Sequence, residues 1–214
     1  MEAVTISYDK TIKSHFPADQ EVLICLFPFN HQVFADHFNW EADLKNTYPL
    51  LAPKSWKEIS DDIGFNSLNR LAKGILELQD PFQSELKEYC GWNKIEFPDY
   101  VSDKIPAGLL IPLIRYFKSK GLTDLRTKKL ERFPDSKNKI VTFKNKNEFD
   151  IYLEIEEAKS LKSKDGIEIL LPDYDCPYAL MIGSKRTCLD VVKACDIEYI
   201  ETNNHTRFDW WNQD

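Results

Sequence analysis

Two histidines in the N-terminal part of the chain have a spacing that suits metal ligands on a strand. His31 and His37 lie six positions apart, so an extended segment would place both imidazoles on one face, where they could bind a transition metal. Asp36 would point the other way. The alternative is that this aromatic-rich segment packs as part of the core or forms a surface loop. The pair therefore gives the hypothesis of a metal-binding protein or a hydrolase.

A second group of reactive side chains follows in "LPDYDCPY". Asp173 and Asp175 stand beside Cys176 in a proline-bounded segment. Paired carboxylates can serve acid–base or metal chemistry, because neighbouring like charges push their pKa values apart. A thiol beside two carboxylates is a poor nucleophile, however, since its own pKa is raised. The alternative is a turn capped by the aspartates, which needs no function.

Two further segments carry polar or aromatic side chains that could bind a ligand. "GSKR" (183–186) stands between a predicted strand and a helix, where free amides with Lys185 and Arg186 could hold an anion. Capping by Ser184 explains it equally well. In "HTRFDWW" (205–211), Arg207, Trp210 and Trp211 would make a partner-binding surface if exposed. Docking of this tail on the body of the protein is the alternative.

A helix–turn–helix pattern occupies residues 55–75, "SWKEISDDIGFNSLNRLAKGI". A glycine at position 64 provides a turn of positive φ, and apolar positions on either side would hold the two helices together. If the second helix reads DNA, its groove-facing side chains would be Asn66, Asn69, Arg70 and Lys73. Acidic residues on the first helix oppose this, so we favour two packed helices without DNA.

The same segment resembles the helix-turn-helix of arabinose-regulator-type bacterial transcription factors. The resemblance rests on a G-F-x-S turn followed by apolar and basic positions, and it covers only about twenty residues. It implies DNA binding, although that family carries two such units and we find no second. The whole chain also resembles a bacterial protein family that has no assigned function, through "ICLFPF", "SWKEI…G" and a late β-α-β unit. That resemblance carries no catalytic residues.

These candidate residues must be positioned by helices in the first half of the chain and by strands in the second. The apolar run Glu21–Phe29 predicts a buried strand. Helices are predicted for the pair within 55–75, for Phe82–Cys90 with Asp80 as its cap, for Pro106–Lys120 with Pro112 as a kink or stop, and for Lys185–Cys195. Strands are predicted at Ile140–Phe143, Phe149–Ile155, Ile167–Leu171, Tyr178–Ile182 and Ile197–Glu201.

The order of these elements predicts a single α+β domain over residues 1–214. A helical subregion at about 54–120 would pack on an antiparallel or mixed sheet formed mainly by residues 140–201, within a sheet subregion at about 139–203.

The charge of the chain is unevenly distributed. The 214 residues carry a formal net charge of −7, but residues 115–146 hold 11 basic and 3 acidic side chains, which gives +8. This basic island could contact an anion or nucleic acid. We favour an island that faces its acidic neighbours or is simply solvated, because an acidic protein repels a polyanion at long range.

Composition excludes several classes. None of the seven glycines forms a dinucleotide-binding or P-loop pattern, so we predict no cofactor. The chain has no signal-peptide pattern and no apolar run long enough for a bilayer. Its five cysteines contain no C-x-x-C, which favours reduced thiols in the cytoplasm.

The absence of a catalytic motif and the acidic balance favour a non-enzymatic protein-binding module, with a basic partner such as a toxin or a regulator. A DNA-binding regulator using residues 55–75 is the first alternative. A metal-binding protein or hydrolase using His31/His37 or Asp173/Asp175 is the second.

Overall fold

The fold is built on an antiparallel sheet of seven strands. It is seen in a computed structural model that describes residues 6–31, 40–98, 104–129, 138–172 and 176–212. Two further short strands, β2 and β3, pair with each other. The strands in chain order are β1 (Glu21–Leu26), β2 (Asn30–His31), β3 (Ile95–Glu96), β4 (Asp124–Lys129), β5 (Lys139–Thr142), β6 (Ala158–Lys162), β7 (Glu168–Leu170), β8 (Tyr178–Gly183) and β9 (Tyr199–Glu201).

The sheet order is β5-β4-β6-β7-β8-β1-β9. The first strand of the chain, β1, therefore lies between two of the last, and it pairs antiparallel with both. Its residues 22–26 are all buried, as expected of a strand that is covered on both faces. Successive side chains point to opposite faces, so that Val22 and Ile24 enter one core and Leu23 and Cys25 the other.

Seven α-helices in the described part of the chain cover the two faces of this sheet. Those of residues 56–93 pack on one face, and those of residues 107–119, 148–155 and 185–194 pack on the other. None of them is both long and apolar enough to cross a membrane. The helices are α1 (Trp40–Thr47), α2 (Trp56–Ile63), α3 (Leu68–Ile75), α4 (Phe82–Asn93), α5 (Ala107–Ser119), α6 (Glu148–Ile155) and α7 (Lys185–Ala194).

The α+β class is confirmed, and the sheet is formed mainly by residues 139–201, with two further strands. Two strands outside residues 140–201 belong to it, namely β1 next to its β9 edge and β4 next to its β5 edge. Strands β4 and β6 were not predicted from the sequence, because each carries two lysines that interrupt its apolar pattern. In β4 the side chains of Leu125 and Thr127 are buried, whereas Arg126 between them is exposed, so a charged outer face masks the alternation.

The prediction of a strand at Phe149–Ile155 was wrong, because this segment is helix α6. The segment "FDIYLEI" has apolar residues at alternate positions, but Ile151 and Ile155 also stand four apart, and both are buried. The decisive signal precedes the segment. The Asn147 side-chain oxygen accepts from the N–H groups of Phe149 and Asp150, both at 2.9 Å. The Asp150 carboxylate accepts from the Asn147 N–H at 3.2 Å, which completes a capping box.

Two other helix predictions need smaller corrections. Helix α5 runs continuously from Ala107 to Ser119 with Pro112 inside it, so the proline does not shorten the helix. Helix α4 begins at Phe82 after Pro81, and Asp80 does not cap its backbone. The Asp80 carboxylate accepts instead from the hydroxyl of Ser84, at 2.8 Å.

Removal of the α6 cap should destabilise the protein. We expect Asn147→Ala to lower the free energy of unfolding by about 1 kcal/mol, because two N–H groups in the first turn lose their acceptor. Urea denaturation monitored by circular dichroism would measure it. The control is Asn138→Ala, at an exposed position with no side-chain hydrogen bond in the described structure. Equal losses in both variants would contradict the role of the cap.

Candidate anion-binding cleft

The helix pair α2–α3 begins with a strong cap and turns at a glycine. The Ser55 hydroxyl accepts from the N–H of Glu58 at 3.1 Å, and the Glu58 carboxylate accepts from the Ser55 N–H at 2.8 Å. Gly64 ends α2 with φ +86°, in the left-handed region that favours glycine. Ser67 then caps α3. The predicted helix–turn–helix segment therefore does form two helices joined by a glycine turn.

A buried serine, which the sequence analysis did not single out, holds the turn together. The Ser60 hydroxyl accepts from the Ser67 N–H at 3.1 Å and lies 3.4 Å from the Ser67 carbonyl oxygen. The Ser60 carbonyl accepts from the N–H of Phe65 at 2.9 Å. Ser60 of α2 thus binds both Phe65 and Ser67 in the turn between α2 and α3. These bonds set the angle between the two helices.

The inner face of α3 is fully used in packing. Leu71, Ala72 and Ile75 are completely buried in the core above the sheet. Gly74 faces the start of α4 so closely that a Cβ atom there would lie 2.9 Å from the Phe82 carbonyl oxygen. The helix is therefore held on two sides, and only its polar face remains for a ligand.

That polar face lines a cleft of about 570 Å³, a volume within the range of small-ligand sites. The residues predicted to read DNA lie together in it. None of the eight described residues around the cleft is acidic. They are two cations, three amides, one hydroxyl and two aromatic rings: Arg70, Lys73, Asn66, Asn69, Gln79, Ser67, Phe65 and Phe82.

Arg70 is positioned by the wall of the cleft and not by a carboxylate. Its Nη1 donates to the Phe65 carbonyl oxygen at 3.3 Å, and its guanidinium carbon lies 5.8 Å from the centroid of the Phe82 ring. The rings of Phe65 and Phe82 pack edge to face at 5.3 Å. An arginine held in this way keeps donors available for an anion.

Three acidic side chains of the segments around the cleft have other partners, and one of them, Asp80, accepts from the Ser84 hydroxyl at 2.8 Å. Glu77 pairs with Lys87 at 2.7 Å. Asp62 accepts from the Tyr89 hydroxyl at 2.7 Å. In the described structure neither Arg70 nor Lys73 forms an ion pair, so the positive charge of the cleft is not neutralised internally.

The basic island differs from the cleft, because three of its described cations pair with carboxylates of α6. Arg115 binds Glu148 at 3.0 Å, and Lys139 and Lys146 both pair with Glu154. Residues 130–137 of the island lie outside the described residues. The island forms the β4–β5 edge of the sheet and packs with α6, on the face opposite to α3. It therefore adds no charge to the cleft.

The two predicted metal or acid–base sites fall partly outside the described residues. His37, with Asp36, lies there, as do Asp173 and Asp175. The His31 backbone N–H pairs with the Leu51 carbonyl at 2.8 Å. The described residues contain no group of three or more histidine, cysteine or acidic side chains that could hold a metal ion.

Four of the five thiols are held in their protonated form by burial. Burial raises the pKa of Cys25, that of Cys90 to about 12, and those of Cys188 and Cys195 to about 11. A thiol with such a pKa holds almost no thiolate at neutral pH, which makes it a poor nucleophile.

The "GSKR" segment and the C-terminal tail have structural roles. The Ser184 hydroxyl accepts from the N–H of Thr187 at 3.2 Å and caps α7. In the tail, Trp210 is only 5% exposed, and its ring lies 6.2 Å from that of Trp56. Trp211 is half-buried beside Tyr178, while Arg207 pairs with Asp209 at 3.5 Å. Of the predicted partner-binding residues, Trp210 is therefore inside the protein.

Comparison with protein-family models, curated proteins and solved structures finds no match to this chain. The cleft between α3 and α4 is therefore the feature of the molecule that points to a function.

The contact between α3 and α4 should be sensitive to a single methyl group. We expect Gly74→Ala to lower the free energy of unfolding by about 1–3 kcal/mol, because the added Cβ overlaps the backbone of α4. Gly91→Ala is the matched control, since no atom lies within 4 Å of the new Cβ. The Gly91→Ala substitution should instead raise the free energy of unfolding by about 0.5–1 kcal/mol, because alanine favours the helical conformation at this exposed position of α4. Thermal and urea denaturation of both variants would show the opposite signs, and destabilisation by both would contradict this description.

The ion pairs of the basic island should make stability depend on acidic pH. The Lys146 ammonium holds the pKa of Glu154 below its usual 4.5. A depressed pKa in the folded state contributes stability above pH 4.5, and this is lost as pH falls through the folded pKa. When the pH is lowered from about 5 to about 3, the Glu154→Gln variant should therefore lose less unfolding free energy than the parent protein. Urea denaturation midpoints at each pH would measure the difference. Glu85→Gln, which removes a carboxylate with no ion pair in the described structure, is the control.

Proposed function

We propose that the protein is a non-enzymatic protein-binding module that holds an acidic group of its partner in the cleft between α3 and α4. The observation that carries this proposal is the pair of cations, Arg70 and Lys73, in a cleft without acidic residues. The group bound would be a carboxylate or a phosphorylated side chain, since both accept the parallel donors of a guanidinium.

The surroundings of Arg70 support recognition more than chemistry. The planar guanidinium is oriented before the ligand arrives, by the Phe65 carbonyl and the Phe82 ring, which reduces the entropy lost on binding. The three amide side chains around it offer donors and acceptors to the peptide groups that flank an acidic residue. The raised pKa values of Cys25, Cys90, Cys188 and Cys195 also disfavour these four thiols as nucleophiles.

DNA binding is the second candidate, and one observation favours it. Asn66, Asn69, Arg70 and Lys73 all line one opening, as the reading side chains of a recognition helix do. Two features favour an acidic peptide of a partner protein over DNA as the ligand. The residues line a concave surface walled by Gln79 and Phe82, whereas a helix must protrude to enter the major groove. The acidic residues of α2 would also approach the DNA phosphates.

The test compares ligands and variants. Calorimetric titration with an acidic peptide, its phosphoserine-containing counterpart and inorganic phosphate would rank the three anions, while a gel shift with duplex DNA at low salt tests the second candidate. We expect the double variant Arg70→Gln, Lys73→Gln to weaken peptide binding about tenfold or more, since each charged hydrogen bond contributes roughly 1.5–3 kcal/mol.

Lys45→Gln, Lys193→Gln is the matched control, because it removes two exposed cations from other helices and changes the net charge equally. It should alter affinity less than about twofold if the effect is local. Equal weakening in both double variants would refute a specific cleft. Retardation of DNA that is lost with Arg70 and Lys73, without any peptide binding, would favour the second candidate.

A further inference from the structure

Helix α4 carries an exposed tryptophan whose exposure no packing interaction within the described residues explains. Trp92 is 82% exposed, and it has no ring contact in the described structure. Of the four tryptophans whose side chains are described, it alone is exposed, since Trp56 and Trp210 are buried and Trp211 is half-buried. Tryptophan is the residue type most enriched among the side chains that dominate protein interfaces.

Two carboxylates share the surface of α4 with this indole. Glu85 and Glu88 are exposed, and neither forms an ion pair within the described residues. At 100° per residue, positions 85, 88 and 92 fall within about 60° of one another around the helix axis, and they span about 10 Å along it. The three side chains therefore form one stripe on the face of α4 that points away from the core.

Other polar side chains of α4 already have partners within the protein. Lys87 forms an ion pair with Glu77, and the Tyr89 hydroxyl donates to Asp62. Glu85 and Glu88 have no cation beside them in the part of the chain that the structure describes. An indole face attracts an ammonium or guanidinium group within about 6 Å of its centroid, so the tryptophan and the carboxylates attract the same kind of group.

We infer that this stripe, Glu85–Glu88–Trp92, is a docking surface for a basic segment of a partner protein. An arginine or lysine of the partner would lie over the Trp92 ring, and its charge would be balanced by Glu88 one helical turn away. A second basic residue would pair with Glu85. The net charge of −7 increases the rate of encounter with such a segment.

The stripe is independent of the anion-binding cleft in both chemistry and residues. Phe82, at the start of α4, belongs to the cleft, whereas the stripe begins one turn later on the exposed face. The stripe would take cations and the cleft anions, so variants of one surface leave the other intact.

The test uses the full chain and an arginine–glycine repeat peptide, with a glutamate–glycine repeat peptide of equal length as the control ligand. We expect the basic peptide to bind and to change the fluorescence of Trp92, and the acidic peptide to produce no effect at the stripe. Glu85→Gln, Glu88→Gln should weaken binding about three- to tenfold, as expected for two exposed ion pairs. Trp92→Ala should weaken it by a similar factor and remove the fluorescence change.

Asp19→Asn, Asp165→Asn is the matched control, since it removes two exposed carboxylates that lie outside α4. It should change affinity less than about twofold at physiological ionic strength, because distant charges are screened. Equal weakening by the two double variants would overturn the inference, as would unchanged affinity in Trp92→Ala or no binding of the basic peptide at millimolar concentration. Binding of the acidic peptide that depends on Arg70 and Lys73 tests the proposed function separately.

Discussion

The position of the helix pair depends on the burial of Trp56, the first residue of α2. Its indole N–H donates to the Phe27 carbonyl at 2.7 Å, immediately after β1, and its backbone N–H is bound by the Glu198 carboxylate, which precedes β9. The ring packs against Phe29 at 6.2 Å. Since one residue joins α2 to two neighbouring strands, the orientation of the cleft relative to the sheet is fixed at this point. Loss of so large a buried side chain typically costs about 3–5 kcal/mol.

Charge is distributed so that the largest basic segment and the cleft have different roles. The island of residues 115–146 is rich in lysine, but three of its described cations, Arg115, Lys139 and Lys146, pair with carboxylates of α6. The cleft contains only two cations, and neither has an ion pair in the described structure. The location of unpaired charge is therefore a better guide to a ligand site than the number of charges. Paired surface ions largely cancel each other's potential and attract a ligand weakly.

The sequence predicted much of the fold because most elements have one dominant signal. Ser55 and Gly64 gave the limits of α2 correctly, and the apolar run at Glu21 gave β1. Prediction was wrong where two signals competed, as in α6, where alternating apolar residues concealed the cap at Asn147. The polar residues of the cleft were predicted from the helix–turn–helix pattern, but their concave wall was not. Phe82 and Gln79 come from the next segment of the chain, and only tertiary packing against Gly74 brings them close.

The place of β1 in the sheet has a consequence for biosynthesis. This strand is made long before both of its neighbours, β8 and β9, and Cys25 pairs with Ala179, 154 positions later. The ring of Trp56 likewise packs against that of Trp210, which is synthesised much later. An apolar strand without neighbours is prone to aggregate, so β1 must stay shielded in the nascent chain until β8 and β9 have emerged from the ribosome. A topology dominated by such distant pairings also folds slowly, which makes newly synthesised copies candidates for chaperone protection.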